Sequence, residues 1–120
     1  MKILVVDDNQ FILEVIQRML SHEDHEIFTE NSVDDAIAFI EASGPCDLVI
    51  TDIVMPEKDG TKLALYVKKH TPAVPVLAIT GGIENAVDDY AIYAEMFADE
   101  VLKKPLQKES LIETINRLAA

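Results

Sequence analysis

The sequence predicts an α/β domain in which a parallel sheet carries helices on both faces. Three observations lead there. Continuous apolar runs at 3–6, 48–50, 76–79 and 101–102 are short enough for strands buried on both sides, and a more polar strand-like stretch at 26–29 makes a fifth. Segments with apolar residues at helical spacing separate these runs. Strand and helix thus alternate five times, the pattern of a parallel sheet. Right-handed crossovers then bring every strand's carboxyl end to one edge, where open α/β sheets bind ligands.

Taken in order, the first strand ends abruptly at Asp7-Asp8-Asn9, with Asn9 suited to cap the helix carrying Phe11, Ile12, Val15, Ile16, Met19 and Leu20. The second strand, 26–29, has mixed polarity and should be less buried. Ser32 caps the next helix, whose inner face holds Val33, Ala36, Ile37 and Ile40, and Ser43-Gly44-Pro45 ends it. The third run leads into Asp52. Pro56 stops the strand, and Gly60 offers a backbone angle that other residues resist before a helix over 61–70. Pro72 and Pro75 bracket a turn into the fourth strand, which closes at Thr80-Gly81-Gly82. A helical segment follows somewhere in 84–97, then a short fifth strand ending at Lys103-Lys104-Pro105. The last helix, over 107–119, faces Leu111, Ile112, Ile115 and Leu118 inward.

A chain of 120 residues, nearly half of them apolar, makes one domain able to bury its own core. The formal charge of −12, with ten scattered Lys and Arg, lacks the basic footprint of direct nucleic-acid binding and would be repelled by an anionic bilayer. Cys46 has no partner for a disulfide and reads as a small core hydrophobe. No signal peptide and no apolar run of membrane-spanning length is present, so a cytoplasmic setting is expected.

Asp7, Asp8, Asp52, Thr80 and Lys104 all fall at strand ends and can converge. A pair such as Asp7-Asp8 is commonly just a solvated loop; its place after a buried strand, opposite Asp52, gives it chemical meaning. Three neighbouring carboxylates repel one another, and Mg²⁺, which prefers oxygen ligands, removes the conflict. Asp8, Asp52 and the Val54 carbonyl are the expected direct ligands, with Asp7 acting through water. Asp52 is then a candidate nucleophile that accepts a phosphoryl group as an acyl phosphate. Lys104 supplies fixed positive charge and Thr80 a hydroxyl donor for the phosphoryl oxygens, while Gly81 and Gly82 let the backbone approach closely.

The motifs Asp7-Asp8, "TDIVMPEKDG", "LAITGG" and "LKKPL", in that order across the whole chain, resemble the receiver domain of two-component response regulators. The resemblance implies a single receiver over 1–120 with a (βα)5 flavodoxin-like fold, strand order 2-1-3-4-5. It implies phosphotransfer to Asp52 from a histidine kinase or phosphotransfer protein with Mg²⁺, metal binding by Asp7 and Asp8, a switch role for Thr80 and a phosphate contact for Lys104. A cis Lys104–Pro105 bond is expected on the same ground. The chain would catalyse its own phosphorylation and dephosphorylation and reshape the face around the loop after the fourth strand for a downstream protein. A stand-alone receiver similar to the chemotaxis receiver is the leading expectation; a phosphate shuttle or sink, or a receiver fragment of a larger regulator or hybrid kinase, is the alternative.

Two features depart from that pattern. Val101 stands where receivers carry a Tyr or Phe three residues before the Lys, so signalling is expected through the loop and the following segment, with Tyr90, Tyr93 or Phe97. The stretch from Thr80 to Lys104 is about two residues longer than usual, and Phe97-Ala98 replaces Gly-Ala. Tyr90, Tyr93, Met96 and Phe97 otherwise read as core and rim, Val87-Asp88-Asp89 as a solvated face, and His22, His25 and His70 as solvated residues. A metal-dependent phosphatase with an Asp nucleophile would want a carboxylate where Val54 stands. A nucleotide or flavin site would want a Gly- or hydroxyl-rich loop where Asp7-Asp8-Asn9 stands. A docking-only pseudo-receiver would not need the full set of site residues.

Overall fold

The computed structural model describes residues 1–21, 23–53, 60–81 and 96–119. Its elements are β1 Lys2–Val6, α1 Gln10–Met19, β2 Glu26–Glu30, α2 Val33–Ser43, β3 Leu48–Asp52, α3 Gly60–His70, β4 Val76–Thr80, β5 Glu100–Lys103 and α4 Lys108–Ala119. All strand pairs are parallel, in the order β2-β1-β3-β4-β5. This is the predicted doubly wound sheet. Most of the helical segment expected within 84–97 lies outside the described residues. So do Val54, Pro56, Gly82, Tyr90, Tyr93, the Val87-Asp88-Asp89 run and His22.

The period-2 alternation of the central strands divides the interior into two cores. Leu4, Val6, Val49 and Val76 point to the side of α2 and α3, meeting Ala36, Ile40, Leu63 and Val67. Ile3, Val5, Leu48, Ile50, Leu77 and Ile79 point to the other, meeting Leu13 and Ile16 of α1 and Leu111 and Ile115 of α4. Strands β3 and β4 are buried throughout, and β2 and β5, at the edges, are only partly so. The mixed polarity of residues 26–29 is therefore the mark of an edge strand. Cys46 is buried in the α2–α3 core, and burial pushes its thiol pKa up, as suits a packing residue.

Local chemistry sets the helix ends. Asn9 Oδ1 accepts from Phe11 N at 2.9 Å and Ser32 Oγ from Asp35 N at 3.1 Å, so both predicted caps form. Gly44, at φ 84°, ends α2. The strands run further than their apolar residues: β3 includes Thr51 and Asp52, and β4 includes Thr80. Main-chain pairing continues past the apolar side chains, with Asp52 opposite Ile79 and Thr80 opposite Lys103.

The reason for Gly60 differs from the one expected. Positive φ among the described residues occurs at Gly44 and Gly81, not at Gly60. Instead, a Cβ on Gly60 would lie 2.1 Å from the Asp52 carbonyl oxygen and 2.9 Å from Thr51 Oγ1. Only glycine lets α3 start this close to the end of β3, where Gly60 N donates to Ile53 O at 2.9 Å.

Candidate functional site

Three strand ends and the loop after β5 bring the predicted residues together. Asp7 follows β1, Asp8 follows it, Asp52 ends β3, Thr80 ends β4, and Lys104 follows β5. Lys104 Nζ lies 3.3 Å from Asp7 Oδ2 and 3.3 Å from Asp52 Oδ2, joining residues 97 and 52 positions apart in the chain. Asp7 and Asp52 are buried, Lys104 is partly exposed, and Asp8 is exposed. One carboxylate oxygen from each of Asp7, Asp8 and Asp52 falls within 4.8 Å of the others.

Backbone geometry holds this arrangement. Asn9 N donates to Asp7 Oδ1 at 2.9 Å, so the residue that caps α1 also orients the carboxylate before it. Thr51 Oγ1 donates to the Asp52 carbonyl at 2.9 Å. Lys104 N donates to Thr80 O at 2.7 Å, tying the lysine to the end of β4. The Lys104–Pro105 bond is cis, as the resemblance implied. Thr51 was not identified from sequence as part of the site, a hydroxyl next to Asp52 being the one available hint, and Gly81, expected to let the backbone approach closely, does so against the Lys104 stem.

Electrostatics at the site are unbalanced. Burial raises the pKa of Asp7, against the lowering effects of the Asn9 amide and Lys104. Burial pulls Lys104 down, but the carboxylates of Asp52 and Asp7 outweigh it and hold the ammonium above its ordinary value. Lys104 thus meets two of the three clustered carboxylates. Thr80 is fully buried, and its Oγ1 has no hydrogen-bond partner among the described residues. Leaving such a hydroxyl unpaired costs about 1–3 kcal/mol, which an incoming acceptor would relieve. Three hard oxygen donors with excess negative charge fit a hard divalent cation such as Mg²⁺. The Val54 carbonyl, the other expected ligand, lies outside the described residues.

The profile of the response regulator receiver domain matches residues 3–116. The chain belongs to that family. Among related proteins, this receiver is 29% identical over 116 residues to the response regulator SaeR of Staphylococcus aureus, covering 97% of the chain and 49% of the relative. The chain therefore spans about half the length of the curated relatives it matches. A response regulator receiver domain protein from Clostridium thermocellum superposes with a TM-score of 0.86 at 31% identity, covering 98% of this chain and 93% of that one. The signal receiver domain of a signal transduction histidine kinase from Syntrophus aciditrophicus gives 0.84 at 26% identity, covering 98% and 89%. Receivers work in phosphorylation-dependent signalling, generally bind Mg²⁺ at an Asp cluster, and interact with histidine kinases or phosphotransfer proteins and with downstream targets. Among the described residues of this receiver, no helix is long and apolar enough to cross a membrane.

Proposed function

We propose that this receiver is a phosphorylation switch in which Asp52 accepts a phosphoryl group from a histidine kinase or phosphotransfer protein. The observation that carries the reading is the bridge of Lys104 between Asp7 and Asp52 at a three-carboxylate strand edge. An Asp52 oxygen attacks phosphorus, the P–N bond to the donor imidazole breaks, and the imidazole takes up a proton as it leaves. Lys104, already 3.3 Å from Asp52, offers fixed charge to the phosphoryl oxygens. Thr80 offers its unpaired hydroxyl to one of them. Asp7, Asp8, Asp52 and the Val54 carbonyl would hold Mg²⁺, which neutralises charge on the carboxylates and on the phosphoryl group. Phe11, 68% exposed on the first turn of α1, gives a docking donor an apolar contact close to Asp8.

Once formed, the acyl phosphate carries about −1.5 to −2 charge, by analogy with other phosphorylated side chains. It draws Thr80 and Lys104 toward itself and changes the face around the loop after β4, where a downstream protein binds in the cytoplasm. A receiver module of a longer regulator or hybrid kinase is the second reading, supported by the half-length match to SaeR and the likeness to a kinase's receiver domain. Passing the phosphoryl group onward as a shuttle or sink would use the same residues.

The test is incubation with acetyl phosphate and Mg²⁺, then with a phosphorylated histidine phosphotransfer domain, read by intact mass. The expected result is one phosphoryl adduct on the wild type and none on Asp52→Asn. An undiminished adduct on Asp52→Asn, or none on the wild type with either donor, would overturn the assignment.

A further inference from the structure

We propose that Thr51 is a positioning residue for Asp52, its buried hydroxyl holding the peptide that follows the acceptor and so the direction of the carboxylate. This rests on the phosphoryl-acceptor reading above, since it concerns how Asp52 is aimed. Thr51 is fully buried. By the two-residue period of a strand it shares the sheet face of Val49, which packs in the α2–α3 core. A valine of the same shape would fill that place without the cost of burying a hydroxyl. What the hydroxyl adds is a hydrogen bond, donated to the Asp52 carbonyl at 2.9 Å.

That bond completes the hold on the end of β3. Ile53 N donates to Ile79 O at 3.1 Å and fixes the Asp52–Ile53 peptide on its N–H side. The Thr51 hydroxyl fixes the same peptide on its carbonyl side. Gly60 shows how closely that carbonyl is enclosed, because a Cβ there would lie 2.1 Å from Asp52 O and 2.9 Å from Thr51 Oγ1. Carbonyl and hydroxyl are thus packed together under the start of α3. Without the hydroxyl, the buried carbonyl loses a donor and turns toward another. Turning the peptide tilts the Cα that also carries the carboxylate, whose Oδ2 is 3.3 Å from Lys104 Nζ.

The experiment compares Thr51→Val, Thr51→Ser and Val49→Ala, the last loosening the same core without touching a hydroxyl. Adduct formation with acetyl phosphate and Mg²⁺ is timed, and the Asp52 Cγ resonance is followed by NMR in metal-free protein. Thr51→Val is expected to slow phosphorylation about fivefold, the factor that one net hydrogen bond carries, and to move the Asp52 resonance. Thr51→Ser keeps the donor and should stay within about twofold of the wild type, with the resonance in place. Val49→Ala should lower the melting temperature and leave rate and resonance as they were. A Thr51→Val rate equal to that of the wild type, a Thr51→Ser or Val49→Ala as slow as Thr51→Val, or an unmoved Asp52 resonance in Thr51→Val would overturn the proposal. If Thr51→Val does not fold, Thr51→Ala removes the same donor and is read in the same way. Absence of any adduct on the wild type would instead sink the phosphoryl-acceptor reading, and the resonance would still decide whether Thr51 positions the carboxylate.

Discussion

At the scale of single residues, Asp7 shows how the site departs from what a stable fold prefers. It is almost completely buried, and burial raises its carboxyl pKa above 3.8 in spite of Lys104 and the Asn9 amide. A carboxyl whose folded pKa is raised stabilises the fold below its unfolded pKa, and that contribution is lost as pH climbs through the folded value. At neutral pH the ionised Asp7 therefore costs stability. Asp7→Asn keeps an oxygen for the Asn9 amide, and Lys104 keeps Asp52. In metal-free buffer the variant should melt a few degrees higher than the wild type at pH 7. The gap should close as pH falls toward 3.8. Thermal unfolding between pH 4 and pH 8 checks this, and a gap that widens on acidification would contradict it.

At the scale of elements, β5 is the strand whose sequence departs from the family pattern. It is tied at its start, where Asp99 Oδ2 accepts from Val76 N at 2.7 Å and from Lys68 Nζ at 2.5 Å, and Asp99 N donates to Val76 O. Glu100 pairs with Arg117 of α4. Val101 is half-buried against Ile53, Ala78 and Ala98, a small cluster that holds no ring among the described residues. Phe97 packs against the α2–α3 core while Met96 is 73% exposed. Signalling in this receiver should therefore run from Thr80 and Gly81 into the stretch that carries Tyr90, Tyr93 and Phe97. Amide chemical shifts recorded before and after adding beryllofluoride with Mg²⁺ should change along that stretch. Changes confined to the neighbourhood of Val101 would refute the path.

At the scale of the whole molecule, folding assembles the charge cluster, so a cation that neutralises it is linked to stability. A ligand that binds only the folded state at about one hundred times its Kd contributes ~2.7 kcal/mol, roughly 10 °C for a domain of this size. Mg²⁺ should raise the melting temperature in a saturating way, and a chelator should reverse the rise. Asp8→Asn, at an exposed position, should leave the metal-free melting temperature nearly unchanged and flatten the Mg²⁺ response. A wild-type melting temperature indifferent to Mg²⁺ would count against metal binding at these carboxylates.

Much of this was legible in the chain itself. Apolar runs and helical spacing depend on neighbours in sequence, so the order of the described elements, the caps at Asn9 and Ser32 and the lesser burial of β2 could all be read directly. The parallel alternation implied a shared strand edge, and the motifs at Asp7-Asp8, Asp52, Thr80 and Lys104 implied one site there. What folding alone decided are the contacts across that edge. The sequence can say that Lys104 follows a strand, but not that its ammonium is equidistant from two carboxylates. It marks Gly60 and Gly81 as glycines, yet the reasons for them, the Asp52 carbonyl and the Lys104 stem, come from segments packed beside them in space. Excluded volume and electrostatics act between whatever the fold brings within a few ångströms, and that neighbourhood exists only once the strands have paired.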